Sequence, residues 1–165
     1  MTQEEVLVTG KIVWGRLIGA TVTAIGLIGG VIAIYSFYLS YSRYDLTGQW
    51  SLANTIESTS YHEYKNLKLG YRVILQQQGT VLTGTGEKWS ENDKSLPPLA
   101  HSHITLTGTI SGNKVIATFL EEGKERKTEG TLDWIYNPKT KSLAGTFTST
   151  AANASGPSTA KIFTQ

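Results

Sequence analysis

Arg126 is the first residue in this chain whose type and setting suggest chemistry. With Thr128, Gly130, Leu132 and Trp134 it alternates along a segment of strand character, so the five share one face. An inward guanidinium needs an anionic partner. That partner is either Glu121 or Glu122 across the turn at Gly123, an ordinary hairpin ion pair, or a ligand phosphate, to which arginine offers a bidentate fork. Trp50 and Trp89 present faces on which a base can stack. Trp50 equally suits a plug at one end of the fold, whereas Trp89 begins a polar, proline-containing insertion where no buried anchor is required. Trp50, Trp89, Arg126 and Trp134 are therefore the expected ligand-binding residues.

Other chemistries have less to stand on. His101 and His103 are two residues apart and His62-Glu63 offers a further pair, but a metal needs three or four convergent ligands, so no metal or other cofactor is expected. No serine lies in a Gly-x-Ser-x-Gly elbow, and Gly84-Thr85-Gly86 lacks the strand, loop and helix context of a phosphate cradle. The absence of cysteine removes disulfides, thiolate metal sites and cysteine nucleophiles together. The reading is of a binding protein, not an enzyme.

The elements that must position these residues fall into two parts. The chain has 165 residues, enough for one compact domain and an appendage. Charged residues are 17% of it and the formal charge is +2, too small and dispersed for a binder of nucleic-acid duplex. From residue 45 onward apolar residues alternate with polar ones. Strands are expected at Leu46–Ile56, Tyr71–Gln78, Val81–Lys88, His101–Ile110, Val115–Glu122, Arg126–Tyr136, Ser142–Thr150 and Ser158–Phe163, with longer insertions at Glu57–Gly70 and Trp89–Ala100. The tight turns between them predict an all-β fold, an eight-stranded up-and-down antiparallel barrel over residues 45–165 that closes its own edges. A recurring Leu-Thr-Gly pattern, as in Leu106-Thr107-Gly108 and Leu143-Ala144-Gly145-Thr146-Phe147, puts leucine and glycine on the interior face and threonine outside.

Ahead of the barrel, after an N-terminal tail at 1–11, residues 12–41 predict one transmembrane α-helix. Arg16 is its only charge, and the uncharged stretch Leu17–Leu39 is long enough for one crossing but not for a two-helix hairpin. Such a stretch exceeds the apolar core of a cleaved signal peptide. Trp14 at one end and Tyr35, Tyr38 and Tyr41 at the other suit the headgroup level. Gly15, Gly19, Gly26 and Gly30 fall on one stripe, a pattern that lets helices pack closely and predicts a homo-oligomer. Lys11, Arg16 and the amino terminus outweigh Arg43, which under the positive-inside rule puts the barrel outside the cytoplasm. A cytoplasmic ligand requires the opposite orientation, and both are carried forward.

Gly48-Gln49-Trp50 on the first strand, followed by the Leu-Thr-Gly meander, resembles the calycin barrels, the lipocalin-like and avidin-like proteins, over about residues 45–163. No biotin or lipid contact set carries over. A membrane helix placed directly before such a barrel is similar to the membrane-anchored, β-strand-rich effectors associated with nucleotidyltransferases in bacterial anti-phage signalling. That family typically has two membrane helices where this sequence has one. The resemblance implies a barrel that senses a cyclic nucleotide and a single-pass helix that oligomerises to perturb the inner membrane. The alternatives are a membrane-tethered lipocalin-like carrier with an extracytoplasmic barrel, or an accessory or assembly subunit of a membrane complex.

Overall fold

The computed structural model describes residues 29–35, 44–124 and 126–163. The chain divides into two units, residues 1–39 and 40–165. Within the first, residues 29–35 are helical, and Val31, Ile32, Ile34 and Tyr35 are exposed. Among the described residues no helix is long and apolar enough to cross a membrane. Most of the expected span at 12–41, with Gly15, Gly19 and Gly26, lies outside the described residues; Gly30 is in the helix, with open space around its Cα.

The second unit is the expected barrel. Its strands are β1 (Gly48–Thr55), β2 (Lys68–Gln78), β3 (Val81–Glu91), the two-residue β4 (Lys94–Ser95), β5 (Ser102–Ser111), β6 (Lys114–Glu122), β7 (Lys127–Asn137), β8 (Ser142–Ser149) and β9 (Ala154–Ile162). Every pairing is antiparallel between sequence neighbours, β4 apart, and β1 closes on both β2 and β9. Strand alternation orders the interior: Leu106, Leu132, Leu143 and Phe147 point inward and are buried. Outside, Thr83, Thr107, Thr118, Thr131 and Thr148 stand opposite one another in an unbroken row across five strands. Such pairs favour the sheet without needing burial.

Several of the expected boundaries move, and β9 begins at Ala154 rather than Ser158. The insertion expected at Trp89–Ala100 starts later, because β3 continues to Glu91 and turns back through Asn92 and Asp93 into β4. Both turn residues have positive φ, 49° and 62°, as a two-residue hairpin with the twist of the strands demands. Similarly β2 begins at Lys68, with an irregularity in its pairing to β3 between Gly70 and Tyr71.

The two barrel ends differ. Where β1 begins, Trp50 and Trp134 fill the interior with Leu46, Leu75, Val115 and Leu143. Trp50 Nε1 donates to the Leu46 carbonyl at 2.8 Å and Trp134 Nε1 to Ser158 Oγ at 2.8 Å, so each indole is buried without an unpaired donor. Gln77 fastens the approaching chain over this end: it accepts from the Leu46 amide at 2.9 Å and donates to the Tyr44 carbonyl at 3.0 Å. The opposite end, where β1 finishes and β2 starts, is open.

Candidate functional site

At the open end the inward side chains become shorter or polar, and a cavity of about 510 Å³ results. That is within the roughly 300–1,000 Å³ of small-molecule sites. Its apolar wall includes Ile56, Leu67, Leu69, Phe119 and Phe147; Tyr64 stands at the edge. The inner polar wall is organised by Glu121 on β6. Its Oε2 accepts from the Tyr71 hydroxyl at 3.0 Å and its Oε1 from the Ser102 hydroxyl at 2.5 Å. Lys88 Nζ lies 3.6 Å from the same carboxylate and 3.0 Å from Glu91. Burial first, and then the charge of Glu121, push the Tyr71 hydroxyl well above the ordinary tyrosine range.

Opposite the Glu121 group, Asn54 on β1 lines the cavity while only 2% exposed, and its Oδ1 has no hydrogen-bond partner among the described residues. Lys124 and Arg126 are exposed at the rim, and neither forms an ion pair with a described residue. The turn is instead clasped by Lys127 and Glu122 at 2.6 Å. Arg126 therefore precedes β7 rather than opening it, and the hairpin pair expected of it with Glu121 or Glu122 is made by its neighbour. The Lys127 ammonium holds the Glu122 carboxyl below the usual carboxylate range.

The rim is tied down on two sides. Residues 57 and 58 pair with Ser155 at the start of β9, and Ser60 N–H donates to the Ala152 carbonyl in the β8–β9 turn at 2.7 Å. Ala152 itself has φ of 56°, a left-handed conformation that costs a residue with a Cβ about 1 kcal/mol. On the other side His101 places Nδ1 2.9 Å from Glu87 and Nε2 3.2 Å from the Leu96 carbonyl.

The four expected ligand-binding residues are not brought together. Arg126 borders the cavity. Trp50 and Trp134 belong to the closed end, and neither borders it. Trp89 sits at the irregularity facing Gly70 and Tyr71, stacked under the Arg72 guanidinium, whose carbon is 4.1 Å from the ring centroid. It too is absent from the cavity wall. His101 borders the cavity and contacts Glu87, His103 stands opposite Glu87 on the outer wall, and among the described residues no three His, Asp or Glu side chains converge as metal ligands. Sequence reasoning missed Asn54, Tyr71, Lys88, Ser102 and Lys124. The first, third and fourth carried a signal: each is a polar residue at an inward position of an otherwise apolar alternation, near one end of its strand. Compared with protein-family models and with curated proteins, the chain matches none.

Proposed function

We propose that this protein is a small-molecule receptor, a barrel carried on an N-terminal membrane helix that binds an anionic ligand, a cyclic nucleotide in the first place, at its open end. Clustering of the helix through Gly15, Gly19, Gly26 and Gly30 would then perturb the inner membrane, an effector role in anti-phage defence. The observation that carries the receptor reading is the one-ended cavity, with aromatic and aliphatic side chains inside and the cations of Lys124 and Arg126 at its rim. An anion held there gains charge-assisted hydrogen bonds, while its body leaves water for an apolar wall. The uncharged run Leu17–Leu39 supports the membrane helix.

The test is a melting curve of the full chain in lipid nanodiscs with cyclic di-AMP or cyclic di-GMP. A ligand at 100 times its Kd adds about 2.7 kcal/mol to the native state, so the midpoint should rise by on the order of 10 °C. Lys124→Ala with Arg126→Ala should abolish the rise without moving the ligand-free midpoint, since both side chains are exposed. No rise with any cyclic nucleotide rejects the reading.

The carrier alternative is favoured by the apolar cavity wall, and topology separates the two. A cysteine at Lys139, in the exposed β7–β8 turn, should resist an impermeant thiol reagent in intact cells if the barrel senses a cytoplasmic nucleotide. Labelling without lysis would promote the membrane-tethered carrier or accessory subunit.

A further inference from the structure

Asn54 is the residue in the cavity that the fold does not explain. A buried amide oxygen without a partner destabilises the fold, and native proteins leave few such groups. Its neighbours in register are Leu69 on β2 and Ser158 on β9. Leu69 offers no polar side-chain atom, and the Ser158 hydroxyl, whose oxygen accepts from Trp134, makes no bond to Oδ1. An aliphatic residue of similar volume would fit the inward phase set by Leu52 and Ile56, which flank Asn54 on the same face of the chain. The carboxamide is thus kept at a cost to stability in the wall of a cavity, the pattern expected of a recognition residue.

The chemistry of the surrounding wall narrows what it recognises. Glu121 is an acceptor-only carboxylate, and a turn of the Asn54 side chain, whose Oδ1 is buried and unpaired, would add another acceptor to the inner cavity; the lining cations without an ion pair among the described residues, Lys124 and Arg126, are at the rim. Phe119 and Phe147 provide flat apolar surface in the same cavity. We infer that Asn54 selects a ligand with a planar, donor-bearing head, a heterocycle carrying N–H or NH₂ groups, inserted edge-first with its anionic group outermost at Lys124 and Arg126. This rests on the receptor reading of the same mouth and deepens it. A fatty acid, whose alkyl chain has no donor, would leave Asn54 unpaired and gain nothing from it.

Asn54→Leu in the full chain, in nanodiscs, tests the assignment with two independent readouts. Without ligand, removal of the orphaned acceptor should raise the melting midpoint by about 3–6 °C. In titrations, cyclic di-AMP or cyclic di-GMP should bind the variant about 10- to 100-fold more weakly than wild type, while the affinity for dodecanoate is unchanged or higher. Asn54→Ala repeats the binding comparison should leucine disturb the fold. A lowered midpoint for Asn54→Leu, or cyclic nucleotide binding equal to wild type in both variants, overturns the role of Asn54 and leaves the receptor reading standing. Failure of the wild-type chain to bind either nucleotide overturns the receptor reading and this assignment with it, and the wild-type titration alone identifies that case.

Discussion

Gly145→Val should cost about 3 kcal/mol or more, at or beyond the upper end of ordinary overpacking. Gly145 faces inward on β8 directly opposite Trp134 on β7. A Cβ placed there runs into the Asp133 carbonyl oxygen and comes within 2.9 Å of the Asp133 carbonyl carbon and 3.0 Å of the Trp134 Cα. All three are backbone atoms of the neighbouring strand, which cannot rotate aside as a side chain can, so relief requires the two strands to separate. A domain with a total stability of roughly 5–15 kcal/mol cannot absorb much of this. Gly123→Val is the control, because at Gly123 the nearest atom is 3.2 Å away and lies in the rim turn. Urea denaturation should show a large drop in midpoint for Gly145→Val and little change for Gly123→Val. Equal midpoints would mean that β7 and β8 do not approach this closely.

The same glycines explain why so much of the barrel was legible. In the recurring Leu-Thr-Gly segments the period of two is strict, and a strict period determines which face is buried. The interior positions of Leu106, Leu143 and Phe147, and the outward threonines, follow from it directly. Boundaries failed where one residue type has two uses. Gly70 ends the expected insertion Glu57–Gly70 but lies inside β2, and Gly156 and Pro157 precede the strand expected from Ser158 but lie inside β9. Pro157 is tolerated there because it lies just beyond the last β1–β9 pair, Asn54 with Ser158, and so a missing N–H breaks no ladder on that side.

The candidate site was less legible because residue type was weighted above phase. Tryptophans and an arginine stand out in a sequence, yet the barrel uses Trp50 and Trp134 to seal one end, where their large volume is worth most. An asparagine in Leu52-Ala53-Asn54-Thr55-Ile56 does not stand out, although its inward phase is what makes it unusual. Which inward polar residues meet one another depends on strand order around a closed barrel. Tyr71 and Glu121 are 50 positions apart in sequence and touch across the barrel interior rather than between paired strands. No local pattern encodes that contact.

Loss of the Glu121 carboxylate should be felt in both stability and pH dependence. Glu121→Leu removes the acceptor shared by the Tyr71 and Ser102 hydroxyls and one of the two carboxylates beside the Lys88 ammonium. Breaking a fully buried pair costs about 3–5 kcal/mol. Here the Lys88 and Glu121 side chains are 19% and 13% exposed and Glu91 remains beside the ammonium, so about 2–3 kcal/mol is expected at neutral pH. At alkaline pH Tyr71 adds a second effect. The unfolded chain ionises its tyrosines near pH 10, whereas burial and the Glu121 charge hold the folded Tyr71 proton to higher pH. Below about pH 10 both states keep the proton and this contribution is fully present. Above it the unfolded state binds fewer protons than the folded state, so stability falls by about 1.4 kcal/mol per pH unit until Tyr71 itself ionises. Glu121→Gln removes the charge but keeps the burial, so its decline should end at lower pH than in wild type, and in Tyr71→Phe this component should vanish. Urea midpoints measured from pH 7 to 11, with phenolate absorbance followed alongside, distinguish the three. Parallel alkaline declines in wild type and Tyr71→Phe would show that other groups set the limit and that the Tyr71–Glu121 contact does not hold the cavity wall.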